Sequence, residues 1–205
     1  MKIAIIDYGM GNIHSVAKAI QSCGVEPIIT NKKTDISLAD KIILPGVGAF
    51  DDAMLELKKL DLVSIILERI NCKKPFLGIC LGMQLLLESS QEAKVNPGLG
   101  VLKGQVVKFN AGQGLKVPHM GWNDLKVAAK DCLLLSGISS GQAQVYFCHS
   151  YYPEPSDKSV IAATCNYGLE FGCVLHKDNV YGVQFHPEKS QGTGLKIIKN
   201  FVELC

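Results

Sequence analysis

Residues 75–82 read Pro75-Phe76-Leu77-Gly78-Ile79-Cys80-Leu81-Gly82, and the chain runs on through Met83-Gln84-Leu85-Leu86-Leu87-Glu88. Pro75 to Ile79 carries a short apolar run of the kind a parallel strand buried on both faces requires. Leu81 to Glu88 predicts the helix that follows it. Working outward, Ile3-Ala4-Ile5-Ile6, Pro27-Ile28-Ile29-Thr30 and Lys41-Ile42-Ile43-Leu44 are three earlier strands of the same type, the last stopped by Pro45-Gly46-Val47-Gly48. Between the first two, Ile13, Val16, Ala17, Ile20 and Cys23 form one apolar helix stripe, closed by Gly24. Asp51 to Leu60 and Leu62 to Ile70 have helical periodicity with a break near Asp61. This alternation predicts an α/β fold, a doubly wound, mostly parallel sheet with helices on both faces. Ligands in such sheets gather at the carboxyl ends of the strands. That singles out three loops: Asp7 to Asn12, Pro45 to Phe50, and Gly78 to Gly82.

The second half is patterned differently. Val101 to Phe109, Asp124 to Val127, Gln144 to Tyr151, Val160 to Tyr167, Phe171 to His176 and Val180 to Phe185 read as strands, several separated by short polar or Gly-containing turns. They predict an antiparallel extension of the sheet, closed by a helix over Gly194 to Leu204. No repeat, low-complexity tract or linker interrupts the chain, so one domain over residues 1–205 is expected. Lys and Arg number 21 against 19 Asp and Glu, which gives no electrostatic case for nucleic acid or membrane binding. The eight cysteines include no C-x-x-C pair, and no apolar stretch suits a signal peptide or a membrane span. A cytosolic protein with reduced thiols and no metal site is expected.

Gly78-Ile79-Cys80-Leu81-Gly82 is a G-x-C-x-G pentapeptide between strand and helix, the nucleophile-elbow arrangement with sulfur in place of a hydroxyl. The turn is tight, so its flanks favour residues without a Cβ. Cys80 then projects from the top of the sheet, and the helix N-terminus favours its thiolate. Among five histidines, His186 lies in Val183-Gln184-Phe185-His186-Pro187-Glu188 at the end of an apolar strand that Pro187 terminates. Glu188 stands two residues on and can hold one imidazole nitrogen while the other faces the thiol. An ordinary core cysteine and a surface histidine beside a solvated glutamate are the bland alternatives. The strand–turn–helix context of Cys80 weighs against them. An oxyanion hole would take the backbone N–H of Leu81 and a second from Val47 or Gly48 in the neighbouring loop.

These features resemble the class I (triad) glutamine amidotransferases. Six blocks narrow the resemblance to the glutaminase subunits of imidazole glycerol phosphate synthases. They are Asp7 to Asn12, Leu44 to Phe50, Gly78 to Gln84, Pro118-His119-Met120-Gly121-Trp122-Asn123, His149-Ser150-Tyr151-Tyr152 and Gln184 to Ser190. The resemblance implies a flavodoxin-like fold and a cofactor-free reaction. In it Cys80 attacks the side-chain amide of L-glutamine, His186 protonates the departing ammonia, and water hydrolyses the thioester. It also implies that Gly48, Gln84, Glu92, Tyr146, His149, Ser150 and Tyr151 bind substrate, with the Ser150 and Tyr151 backbone at the α-carboxylate. A (β/α)8-barrel cyclase would be the partner in a heterodimer. That partner takes the ammonia into imidazole glycerol phosphate, a step of histidine biosynthesis. The interface would include Asn12, His119, Met120, Trp122, Asn123 and Lys189. From the residues alone, Trp122 reads equally as an interface anchor or a cap on the core.

Three other readings share parts of this pattern. A related glutaminase would deliver ammonia to a different synthase, for example in surface-sugar modification. A Cys hydrolase of esterase or protease type would use the elbow but not Gln84 or the Pro45 to Gly48 loop. A catalytically dead interaction subunit would have no need for the intact Cys80, His186 and Glu188.

Overall fold

The computed structural model describes residues 1–110 and 112–205, without the side chain of Gln113. The first part of the chain forms β1 (Ile3–Ile6), α1 (Ile13–Gln21), β2 (Ile28–Thr30), α2 (Lys33–Ser37), β3 (Lys41–Gly46), α3 (Phe50–Lys59), α4 (Val63–Asn71), β4 (Phe76–Cys80) and α5 (Leu81–Gln84). The rest forms β5 (Ser89–Ser90), β6 (Gly104–Lys108), β7 (His119–Asp124), β8 (Lys126–Val127), β9 (Gln144–His149), β10 (Tyr151–Pro155), β11 (Ile161–Asn166), β12 (Glu170–Lys177), β13 (Val180–Val183) and α6 (Gln191–Glu203).

The main sheet has the order β2-β1-β3-β4-β13-β12-β11-β8. Its strands are parallel from β2 to β13 and antiparallel from β12 to β8. This is the doubly wound sheet with an antiparallel extension that the sequence implied. β10-β6-β5 and β7-β9 form two smaller sheets beside it.

Alternation along the strands decides which core each residue joins. Ile3 and Ile5 of β1 pack with Val16 and Ile20 of α1 and Ile198 and Phe201 of α6 on one face. Ala4 and Ile6 pack with Ile36, Phe50, Leu57 and Ile66 from α2, α3 and α4 on the other. α3 carries Asp51 and Asp52 in its first turn and Lys58 and Lys59 in its last, the charge order its dipole favours. Asp61, at φ 53°, makes the break before α4 that the periodicity required. The buried Lys41 ammonium donates to the Phe201, Val202 and Cys205 carbonyls at 2.9, 2.8 and 2.6 Å and so ties down the end of α6.

In the second half, β7 forms where no strand was expected, and the expected strand Gln144 to Tyr151 divides at Ser150 into β9 and β10, which join different sheets. In the parallel half two boundaries differ from expectation. β3 runs on through Pro45 and Gly46, which pair with Ile79 and Cys80 of β4. The β1 ladder ends at Ile43, so Pro45 withholds no hydrogen bond from that neighbour. The helix after Cys80 covers only Leu81–Gln84 and not the stretch to Glu88. The amides show why: Leu86 and Leu87 donate only three residues back, to Met83 and Gln84, and Glu88 donates to Gly104, while the Leu85, Leu86 and Leu87 carbonyls accept from Leu99, Leu102 and Gly100. The apolar run Leu85-Leu86-Leu87 is buried by that wrapping segment instead of by helix packing. Among the described residues, no helix is long and apolar enough to cross a membrane.

Candidate active site

Cys80 closes β4 and caps α5 with φ 54° and ψ −108°. A non-glycine residue in this region carries on the order of 1–3 kcal/mol of backbone strain, held in place by its surroundings. The flanking glycines serve close packing. A Cβ on Gly78 would stand 2.6 Å from the Gly82 carbonyl oxygen, and one on Gly82 would overlap the Leu44 carbonyl of β3. Only this pair lets the elbow sit directly against the neighbouring strand. α5 is a single turn, so it brings first-turn amides up to Cys80 but not the dipole of a long helix.

β13 lies alongside β4 with Val183 opposite Ile79, so the residues just past β13 reach the elbow. Gln184, fully buried, directs its amide nitrogen at the Cys80 sulfur at 3.7 Å. His186 follows two residues later, and its Nδ1 pairs with Glu188 Oε1 at 2.9 Å. Asn12, from the loop after β1, donates to the same Glu188 oxygen at 3.4 Å. The His186 amide donates to the Tyr146 carbonyl at 2.9 Å, and the Ser190 hydroxyl donates to the His186 carbonyl at 2.6 Å while accepting from the Tyr146 amide. The imidazole is therefore oriented through both its ring and its backbone.

Burial is the largest influence on His186 and pulls its pKa down. The interaction with Cys80 and the hydrogen bond to Glu188, with the negative charge of both, overcome it and raise the pKa to about 10. The favoured state of His186 is therefore the imidazolium. The folded pKa lies above the ordinary 6.5, so this pairing contributes its stability fully below about pH 6.5 and loses it as pH climbs through about 10. Cys80→Ala removes the sulfur's share, so His186 should then titrate closer to its ordinary range. Histidine ring resonances followed by NMR against pH will check this. An identical titration in both proteins would show that the sulfur does not hold the proton.

A cavity of about 330 Å³ opens at Cys80 and His186, at the carboxyl ends of the strands. Val47, Gly48, Leu81, Gln84, Glu92 and Lys189 line it, as do Cys148, His149, Ser150 and Tyr151. Glu92 is fixed by the Phe50 amide at the start of α3, which donates to its Oε2 at 2.9 Å. Gln84 donates to the Tyr151 carbonyl at 3.0 Å and to Gln184 Oε1 at 3.1 Å.

Most of the residues expected from sequence converge here, with two corrections. Tyr146 does not line the cavity. Its backbone holds the His186 loop, and its ring meets Lys189 Nζ at 6.0 Å from the centroid and Trp122 at 6.2 Å. His119 is not on the surface with the other expected interface residues. Strand alternation in β7 turns Met120 (60% exposed) and Trp122 (45%) outward and His119 (2%) inward. Asn123 shares the inward side and donates to the Asn166 carbonyl at 2.8 Å. Gln184 and Ser190 received no role from sequence. A glutamine inside the apolar run Val180 to Phe185 was the available signal for the first, since a polar side chain there must find a partner.

Similarity to known proteins agrees with this geometry. A family profile described as glutamine amidotransferase class-I matches residues 4–205. The imidazole glycerol phosphate synthase subunit HisH of Geobacter sulfurreducens is 50% identical over 208 residues, covering 99% of each chain. The protein of the same name from Methanosarcina acetivorans is 50% identical over 206 residues, covering 100% of this chain and 99% of the relative. Among solved structures, PurLQS from Thermotoga maritima superposes with a TM-score of 0.76 at 19% identity, covering 98% of this chain and 97% of that chain. The acivicin-bound glutaminase domain of Trypanosoma brucei CTPS gives 0.69 at 15% identity, covering 99% and 94%. At those identities the structures speak for the fold alone, whereas the full-length sequence matches decide membership: the chain belongs to the class-I glutamine amidotransferases, in the group of the imidazole glycerol phosphate synthase subunit HisH.

Proposed function

We propose that this protein is the glutaminase subunit of an imidazole glycerol phosphate synthase, hydrolysing L-glutamine with Cys80, His186 and Glu188. The observation that carries the reading is the strained Cys80 elbow opening on a cavity that His186 also lines, its ring paired with the buried Glu188 side chain. The thiolate attacks the side-chain amide carbon. The Leu81 N–H and one from Val47 or Gly48 hold the developing oxyanion. His186 gives its proton to the nitrogen as the C–N bond breaks, releasing ammonia and leaving a γ-glutamyl thioester. Water then attacks, with the neutral His186 as base, to release glutamate and restore the thiolate.

The cavity supplies complementary ends for an amino acid. Glu92 keeps Oε1 for the α-ammonium while Phe50 engages Oε2. In the β6–β10 ladder Phe109 donates to Ser150, so the Tyr151 N–H and C=O point the other way, toward Gln84. That leaves the Tyr151 amide available to the α-carboxylate. Ammonia passes to a (β/α)8-barrel cyclase docked over the cavity mouth, with the exposed Met120 and Trp122 as anchors of the interface. The purified chain should release glutamate from glutamine, and should bind the cyclase and turn over glutamine faster in its presence. Glutamine turnover without and with the cyclase measures both. A chain that hydrolyses glutamine but neither binds nor responds to a barrel cyclase belongs to a different synthase.

A further inference from the structure

From the cavity wall a hydrogen-bonded row runs inward, and the reaction as described does not use its two histidines. Asn123 Nδ2 faces His119 Nε2 at 3.4 Å, His119 Nδ1 faces His149 Nε2 at 3.1 Å, and His149 Nδ1 faces the Tyr151 carbonyl at 2.8 Å. Both rings are buried, and His119 is stacked between Phe147 and Tyr167, with centroids 4.6 and 3.9 Å away.

The two ends of the row fix its protons independently. A carbonyl only accepts, so His149 Nδ1 carries hydrogen toward Tyr151. A neutral imidazole then has a bare Nε2, which needs a donor from His119 Nδ1. At the far end, Asn123 directs its amide nitrogen at the Asn166 carbonyl and its oxygen at the Asp124 amide. Its nitrogen is therefore also what meets His119 Nε2, which must be bare. Both ends demand the same tautomer of both rings. Burial supports the neutral state, pushing His119 down to about 4. Burial chiefly, with the positive charges of His119 and His186, takes His149 to about 3 against the pull of the Tyr151 carbonyl.

We propose that His119 and His149 are positioning residues for the glutamine site: two neutral, Nδ1-protonated imidazoles in series that hold the Tyr151 peptide where its amide meets the substrate carboxylate. This rests on the cavity being the glutamine site. Tyr151 O is held from one side by His149 and from the other by Gln84, which also engages Gln184, the residue on the Cys80 sulfur. His119 touches neither substrate nor sulfur and acts only through His149.

The test uses the full chain with its partner bound. In His119→Asn the side-chain amide replaces Nδ1–H and preserves the donor to His149. In His119→Gln the amide stands at the Nε2 position and the donor is lost. His119→Gln should raise KM for glutamine about tenfold with kcat changed less than about threefold, and His119→Asn should keep KM within about threefold of the unaltered chain. Equal KM in the two variants overturns the proposal. If His119→Gln fails to fold, NMR of the unaltered chain with 15N-labelled histidine decides. Nδ1–H at both rings, unchanged between pH 5 and 8, supports the proposal, and Nε2–H at either overturns it. Failure of the glutamine-site reading looks different, since glutamine turnover would then survive Cys80→Ala.

Discussion

Cys80→Ala should abolish glutamine-dependent synthesis, by about 10⁴-fold or more, while leaving synthesis from added ammonium salts intact in the assembled enzyme. The sulfur is the attacking atom; Cys148, which also lines the cavity, lies within strand β9 and not on an elbow. Alanine has the same Cβ, so it meets the positive φ of residue 80 at the cost cysteine already bears, and the fold survives. The retained ammonium activity separates loss of chemistry from loss of structure. Glu188→Gln should cost less than Cys80→Ala, because His186 keeps its backbone anchors at Tyr146 and Ser190 and loses only the carboxylate. Glutamine use that survives Cys80→Ala would reassign the nucleophile. Equal losses in the two variants would mean that Glu188 does more than orient.

The second large effect is on folding. Gly82→Ala should destabilise the protein by at least about 3 kcal/mol, the upper end of the overpacking range, and lower Tm by roughly 6–12 °C for a chain of this size. The new methyl would collide with the backbone carbonyl of Leu44 in central strand β3, which no rotamer change can move aside. Gly192, in the first turn of α6, is the control: a Cβ there meets nothing within 4 Å, so Gly192→Ala should be neutral or slightly stabilising. Thermal unfolding of the two variants measures the difference. Comparable Tm values would show that the elbow can lift off β3.

The parallel half of the fold was legible because each strand is buried on both faces, and four-residue apolar runs such as Ile3 to Ile6 leave little choice. The triad was legible because G-x-C-x-G and His-Pro-Glu are local patterns with a mechanical meaning. β7 was missed because its pattern is inverted. His119 and Asn123 face inward into the hydrogen-bonded row, while Met120 and Trp122 face outward. Binary patterning assumes the opposite, and it fails where a strand presents an apolar face to something outside the chain. The early end of α5 was hidden for another reason. The segment 98–104 that takes the carbonyls of residues 85–88 and the Glu88 amide is distant enough that no local rule includes it. Glu92 and Ser190 are similar cases, each given its place by partners that only the tertiary structure supplies.

The strand order has one more consequence. β4 carries Cys80, yet its neighbour on the far side is β13, contributed by residues about a hundred positions later. During synthesis that edge stays unzipped until the late strand slots in, and closing so long a loop is slow compared with forming the local β-α units. Until β13 pairs with β4, Cys80 and His186 have nothing in the main sheet to bring them together. The pairing that completes the parallel half of the sheet is thus the same one that brings the nucleophile and its imidazole together.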